Sequence, residues 1–279
     1  MQVNIAKHEG MIIWDGVYYY PLSKYPHITP WELKKLVAFA DYEKQHGRDT
    51  EIICEDETIL NAVNHAFAFP ETVQDACLPE KITECTHCNQ GGCLTTFVCH
   101  TSTIENAKSI LSGRKLLSAA KVHGKTGAEI ASKQLGATYD PQDPSDYFEY
   151  VMFAWGNCQT GDNLVMQREM LRKFGRLPTS DDLKNALEPG VRFYFRHEDI
   201  IRHPGYVFDG YHPAKIRDEI TLADYLYACI TPAQNKNELE SLIPAELADR
   251  VYFLRQDGLG LLDWTEKVFD FVCALDALQ

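Results

Sequence analysis

Apolar and polar positions follow two periods along this chain, one typical of helices and one typical of strands. Apolar residues recur at helical spacing over residues 30–44, where Thr29, Pro30 and Glu32 form a strong signal for a helix start. Residues 190–195 alternate instead, as expected for a strand with one buried face. Helical spacing returns in residues 258–272 and predicts a terminal helix. Together these patterns indicate an α+β protein.

The chain is organised around residues 96–118. A short apolar run at residues 97–99 predicts the end of a strand. Three polar residues follow it directly: His100, Thr101 and Ser102. Ser102 with Glu105 three positions later resembles a capping box, so we expect a helix to begin there and to end at Gly113. A histidine and two hydroxyls beside a helix start can bind a polar ligand, although an ordinary polar turn has the same pattern.

Two further segments carry candidate functional residues. Residues 147–155 are rich in aromatic side chains and predict a strand, followed by a helix over residues 163–174. The rings can stack on a flat ligand, or they can belong to the core. Glu219 lies among apolar neighbours just before an apolar strand at residues 226–230, which suits either a charge at the rim or a functional carboxylate.

The predicted elements divide the chain into two domains. Residues 1–94 predict a small accessory α/β unit with a cysteine-containing linker, including a hairpin with Asp15-Gly16 as its turn. Residues 95–279 form the second predicted domain, which holds the histidine, hydroxyl, aromatic and carboxylate candidates described above. No run of about 18 apolar residues occurs, which argues against a membrane span. The start of the chain lacks the pattern of a signal peptide, so a cytoplasmic location is expected.

Charge is unevenly distributed. The net charge is −13, yet residues 105–137 hold six Lys or Arg against two Asp or Glu. One basic island in an acidic chain suits a small ligand that bears phosphate better than a broad nucleic-acid surface, which needs many phosphate contacts. The same lysines are equally compatible with a solvated face.

Nine cysteines in this chain are expected to be thiols rather than disulfides. Cys85, Cys88 and Cys93 are weak candidates for a zinc site, because Cys85 and Cys88 have the spacing of a zinc knuckle. No second pair with this spacing follows, so a reduced loop without metal is the favoured interpretation.

Three of these segments together resemble the ADP-ribosyltransferase fold, in particular its DarT-type branch. The strand that ends in His-Thr and the helix TIENAKSILSGRKLLSA are similar to the first motif of that family. The aromatic strand at residues 150–155 is similar to its second motif, and Arg217-Asp218-Glu219-Ile220 to its third. The resemblance covers about residues 95–232. It implies an ADP-ribosyltransferase-like split β-sheet core with flanking helices, preceded by the small N-terminal α/β unit.

The resemblance also implies an activity: a pentosyltransferase that uses NAD as co-substrate, releases nicotinamide and transfers ADP-ribose to a macromolecule. Within it, His100 would bind the adenosine ribose, Thr101 and Ser102 would line the nicotinamide end, and Glu219 would be catalytic. The ring that stacks on nicotinamide would be one of three: Tyr150, Phe153 or Trp155. A basic residue near the reacting centre is also implied, and the candidates are Lys121, Lys125, Lys133 and Arg168.

The acceptor is left open by the residue two positions before Glu219. Arginine- and asparagine-modifying relatives carry Gln or Glu there, whereas this chain has Arg217, which favours a nucleic-acid acceptor over protein. A toxin or phage-defence role with an inhibitory antitoxin partner is consistent with this resemblance. Two alternatives are an RNA 2′-phosphotransferase of the same fold, disfavoured by the single basic island, and a non-catalytic or zinc-stabilised module that binds a protein partner.

Overall fold

The computed structural model describes residues 2–6, 17–22, 24–77, 96–133, 144–179, 181–182 and 189–278. The chain forms two compact units. The first unit comprises Met1–Glu80, Asp140–Asp146 and Phe208–His212, and the second unit comprises Lys81–Tyr139, Tyr147–Val207 and Pro213–Gln279. The boundary near residue 80 precedes the predicted boundary at residue 94, and two later segments belong to the first unit.

The first unit contains a three-stranded parallel sheet with the order β2-β1-β3 and two helices. Its elements are β1 (Gln2–Ala6), β2 (Val17–Pro21), α1 (Pro30–Gln45), β3 (Glu51–Cys54) and α2 (Glu57–Ala68). Thr29 and Glu32 form the predicted capping box of α1. Strand β2 pairs in parallel with β1, and the other arm of the predicted hairpin lies outside the described residues.

The first half of the second unit begins with the predicted strand and helix. Its elements are β4 (Phe97–Ser102), α3 (Ile104–Gly113), β5 (Lys115–Leu117), α4 (Ala119–His123), α5 (Gly127–Ser132), the 3₁₀-helix Ser145–Glu149, β6 (Tyr150–Trp155) and α6 (Thr160–Phe174). The predicted aromatic strand is therefore shorter than expected, because residues 145–149 form a 3₁₀-helix.

The second half of this unit completes the sheets. Its elements are β7 (Val191–Arg196), α7 (His197–Ile200), β8 (Tyr206–Val207), β9 (Ala214–Arg217), β10 (Glu219–Thr221), α8 (Leu222–Tyr225), β11 (Leu226–Pro232), α9 (Lys236–Leu239), β12 (Val251–Leu254) and α10 (Leu261–Ala277). The terminal helix that the sequence predicts is α10, which extends to Ala277.

A mixed seven-stranded sheet organises the second unit, with the order β12-β11-β7-β4-β6-β9-β8. Strands β5 and β10 form a separate two-stranded sheet, and both contact β6. One face of the large sheet packs with α3 through Ala107 and Leu111. The other face packs with α10 through Trp264 and Phe269. The prediction of an α+β fold with flanking helices is confirmed.

Among the described residues, no helix combines the length and the hydropathy needed to cross a bilayer.

Candidate active site

The polar side chains at the end of β4 lie on both faces of the large sheet. Side chains alternate along a strand, so Val98 and His100 share one face, while Cys99 and Thr101 share the other. Val98 packs in the core on the α3 side and Cys99 in the core on the α10 side. The three residues predicted to line one ligand therefore divide, with His100 and Ser102 on one face and Thr101 on the opposite face.

His100 lies where β4 and β6 separate. The two strands pair only through Val98 with Trp155 and Cys99 with Ala154. At the next position the imidazole Nδ1 of His100 lies 3.1 Å from the backbone oxygen of Met152. A carbonyl oxygen accepts and does not donate, so Nδ1 carries the hydrogen and Nε2 keeps its lone pair when the ring is neutral.

The surroundings of His100 favour that neutral form. Burial lowers the pKa of His100 below its ordinary value, and the hydrogen bond to Met152 opposes this effect without reversing it. The ring meets Phe153 edge-on, with 6.4 Å between the ring centroids. A neutral imidazole with a fixed tautomer can accept a hydrogen bond from a hydroxyl group of a ligand.

Thr101 is part of the packing beneath α6. A Cβ added to Gly161 in the first turn of α6 would lie 2.5 Å from the Thr101 hydroxyl oxygen, so the helix approaches the strand closely. That hydroxyl is buried and has no hydrogen-bond partner among the described residues. Strand alternation directs the Thr101 and His100 side chains to opposite faces, so the structure does not bring these two predicted ligand residues together.

The helix after β4 begins one residue later than predicted. Thr103, not Ser102, is the N-cap of α3, and its side chain accepts a hydrogen bond from the backbone N–H of Asn106. Ser102 is buried as the last residue of β4. At the other end Arg114 adopts the left-handed conformation with a φ of 58°, whereas Gly113 still belongs to the helix.

The three aromatic candidates lie at different depths and positions. Phe153 is 2% exposed and packs against Phe195, so its ring belongs to the core. Tyr150 is also buried, and the Lys215 ammonium lies 4.4 Å from its ring centroid. Trp155 is partly exposed, but it stands five residues from Tyr150, or about 17 Å along an extended strand. Of the three, Tyr150 is the one at the start of β6, where it pairs with Arg217 at the end of β9.

Glu219 forms an ion pair with Lys115 across β5 and β10. Its Oε1 atom lies 2.5 Å from the Lys115 ammonium, and both side chains are partly exposed. The hydrogen bond from Lys115 is the largest cause that lowers the pKa of Glu219, and the charge of Lys121 acts in the same direction. Glu219 is therefore an ionised carboxylate at neutral pH, accessible to a ligand.

Strand register brings Glu219 to the edge where β4 ends. Val98 pairs with Trp155 in β4 and β6, and Tyr150 pairs with Arg217 in β6 and β9. Because both pairings are antiparallel, the end of β4, the start of β6 and the end of β9 share one edge of the sheet. Glu219 follows Arg217 by two residues, so it lies just beyond this edge of the large sheet.

The backbone around Glu219 is fixed by hydrogen bonds on both sides. Asp218 has a φ of 64°, in the left-handed region that non-glycine residues rarely adopt. Its N–H donates to the Glu149 oxygen at 3.0 Å, and its own oxygen accepts from the Ser118 N–H at 2.7 Å. Asp is among the non-glycine residues that adopt this conformation most readily, and the two hydrogen bonds hold it in place.

Sequence reasoning missed Lys115 as the basic residue at Glu219. Of the predicted candidates, Lys121 is near enough to influence Glu219 and lines a small cleft with Asp218. Lys125 lines the same cleft, whereas Lys133 is exposed and does not line it. Arg168 instead lines an open cleft of about 600 Å³ beside Thr103 and Asn106. Lys115 belongs to the basic island of residues 105–137, but only the pairing of β5 with β10 singles it out as the partner of Glu219.

The candidate zinc ligands Cys85, Cys88 and Cys93 lie outside the described residues. Within the described ranges, no group of three or more His, Cys, Asp or Glu side chains is arranged to hold a metal. The cysteines of those ranges are free thiols: Cys54, Cys77, Cys99, Cys158, Cys229 and Cys273.

Comparisons with known proteins add no further assignment: the chain matches no family model, no curated protein and no solved structure.

Proposed function

We propose that this chain is an NAD-dependent mono-ADP-ribosyltransferase of the DarT type, with Glu219 as its catalytic carboxylate. The observation that carries the proposal is the convergence at one sheet edge of the His100 strand and an ionised, accessible Glu219. The separation of β4 from β6 at His100 suits the split sheet of an ADP-ribosyltransferase-like fold, which is part of the same proposal.

The chemistry needs a fixed negative charge beside the anomeric carbon of the nicotinamide ribose. The bond from that carbon to the nicotinamide nitrogen breaks, and its electron pair leaves with nicotinamide. Positive charge develops on the ribose, and the Glu219 carboxylate stabilises it. The acceptor atom then bonds to the same carbon, and its proton passes to the carboxylate.

The remaining residues have supporting roles in this proposal. His100, with Nε2 as an acceptor, would bind a ribose hydroxyl. Lys115 would keep Glu219 ionised and would itself bind a negatively charged part of either substrate. Of the three aromatic candidates, Tyr150 is nearest to Glu219 by register, but strand alternation directs its ring to the face opposite to His100, and Phe153 is committed to the core.

A nucleic-acid acceptor is favoured over protein, because Arg217 replaces the acceptor-guiding Gln or Glu of protein-modifying relatives. A cytoplasmic toxin or phage-defence effector fits this chemistry, and the free thiols of the described residues suit a reducing compartment. An inhibitory antitoxin partner stays a prediction.

The test is incubation of the purified chain with labelled NAD and separate pools of protein, RNA and DNA. We expect label transfer to a nucleic-acid pool, and its loss by about 10²–10³-fold in Glu219→Gln, the usual cost of removing one electrostatic stabiliser. Glu238→Gln is the matched control, because Glu238 also pairs with a lysine, Lys108, at 2.7 Å. Absence of both transfer and nicotinamide release would contradict the proposal and favour a binding module.

A further inference from the structure

The first unit holds two segments of chain that lead into the strands of the candidate site. These segments are Asp140–Asp146 and Phe208–His212. The first is followed by β6, which begins at Tyr150, and the second by β9, which ends at Arg217, two residues before Glu219. Residues 1–80 alone are therefore only part of this unit.

The Asp146 side chain holds the end of the first segment in place through hydrogen bonds. Its carboxylate accepts a short hydrogen bond from the Tyr42 hydroxyl and one of 2.7 Å from Arg48. Arg48 is itself held by both oxygens of Glu43, each at 2.7 Å, and Glu43 is fully buried. Although burial raises the pKa of Asp146, these hydrogen bonds outweigh burial and lower it. An ionised, multiply bonded carboxylate fixes its backbone more firmly than a solvated one.

The second segment is bound equally closely. Asp209 is fully buried and accepts hydrogen bonds from the backbone N–H groups of Tyr211 and His212 at 3.0 and 2.8 Å. Gly210 has a φ of 70°, and a Cβ added there would lie 2.0 Å from the Lys35 oxygen in α1. Only glycine fits such a close approach.

A short path connects Asp146 to Glu219. Asp146 lies in the 3₁₀-helix Ser145–Glu149. The last residue of that helix, Glu149, accepts the backbone hydrogen bond of Asp218 at 3.0 Å, and its carboxylate binds Arg217 at 3.1 Å. Arg217 and Asp218 are therefore both bonded to the last residue of this 3₁₀-helix, and Glu219 follows directly.

We propose that Asp146 is a positioning residue for Glu219, acting through the 3₁₀-helix Ser145–Glu149. This inference rests on the proposed function for its catalytic consequence. The hydrogen bonds of Asp146 fix the chain just before β6 begins, and so they help to hold the left-handed turn at Asp218 that directs Glu219.

The test compares full-length Asp146→Ala with the wild-type chain in NAD turnover, in calorimetric titration with NAD and in hydrogen exchange of residues 217–221. We expect kcat to fall by about tenfold to a hundredfold, the cost of misplacing a catalytic group by about 1 Å, with the number of NAD sites per chain unchanged. Exchange of the Asp218 amide should be faster in the variant.

Two variants separate positioning from general damage. Asp276→Ala is the matched control, because Asp276 is also bound by an arginine, Arg196, far from the Glu219 edge. Asp146→Asn keeps one acceptor oxygen and the side-chain size, so it should recover part of both the turnover and the exchange protection.

Wild-type turnover in Asp146→Ala, or a fall in kcat matched by a fall in NAD sites, would overturn the inference. Failure of the proposed function is distinguishable, since it appears as an inactive wild-type chain. In that case the exchange at Asp218 still decides: unchanged protection in Asp146→Ala refutes the positioning role, and lost protection supports it.

Discussion

Two ion pairs in the second unit have opposite surroundings. Arg192 and Asp162 lie 3.4 Å apart with both side chains fully buried, whereas Lys115 and Glu219 are 42% and 35% exposed. Arg192 also donates to the backbone oxygens of Gly156 at 3.0 Å and Cys158 at 2.8 Å, so it ties β7 to the turn after β6.

The buried pair is a structural device. Asp162 Oδ1 and Arg192 Nε have no hydrogen-bond partner among the described residues. Burying such unsatisfied polar atoms costs folding free energy, so the pair is not explained by stability alone. The ion pair and the hydrogen bonds of Arg192 fix the turn after β6 and the helix α6 relative to β7. The exposed pair has few contacts and can exchange them for a ligand. The comparison teaches that burial, more than charge, separates a structural ion pair from a candidate catalytic one.

The largest effect is expected from breaking the buried pair. Arg192→Met leaves the buried Asp162 carboxylate without its ion-pair partner, which should lower the free energy of unfolding by about 3–5 kcal/mol. Urea denaturation measures this change. The double variant Arg192→Met with Asp162→Leu should recover much of the loss, because both charges are then removed. A loss below about 1 kcal/mol in the single variant, as for a surface pair, would contradict this role.

An intermediate effect is expected from the packing that holds Asp162. Gly161→Ala would place a methyl group 2.5 Å from the Thr101 hydroxyl oxygen. Overpacking of this kind should lower the free energy of unfolding by about 1–3 kcal/mol, measured by thermal or urea denaturation. Gly113→Ala in α3 is the control, since its added methyl group meets no atom within 4 Å. Equal stability of the two variants would show that α6 can move away from β4.

The smallest stability effect is expected at the exposed pair. Lys115→Met should change the free energy of unfolding by only about 0.2–1 kcal/mol, because solvent screens the pair. Its effect on activity is different. Lys115 lowers the pKa of Glu219, so the ionised carboxylate persists to lower pH, and any stability from the pair is lost as the pH falls through that pKa.

Removal of Lys115 should therefore move the acid limb of kcat/KM for NAD to higher pH. A pH profile of nicotinamide release measures the shift, with Lys108→Met as the control because Lys108 also pairs with glutamates, Glu105 and Glu238. An acid limb that stays in place would show that Glu219 is not the group that titrates.

Elements with local signals were predictable from the sequence. The capping box at Thr29 and Glu32 lies within four residues and defines α1 in both sequence and structure. The β4–α3 unit was predicted with its N-cap misplaced by one residue, because Ser102 and Thr103 have similar capping propensity and the choice depends on where β7 stops pairing.

The candidate site was only partly predictable. Glu219 was identified from its neighbours, but Lys115 is 104 residues away and is joined to it only by the pairing of β5 with β10. The division of His100 and Thr101 between two faces could have been predicted from strand alternation. The contribution of residues 140–146 and 208–212 to the first unit could not, because no local pattern records a long-range contact.

The first unit is built from three separate segments of the chain, and this has a consequence for how the protein can evolve. Two of its three segments lie within the sequence that encodes the second unit. A recombination event that exchanges residues 1–80 would deliver an incomplete unit, and one that exchanges the remainder would carry two of its segments into a foreign setting. The two units should therefore vary together in evolution, and exchange of either one alone should be selected against.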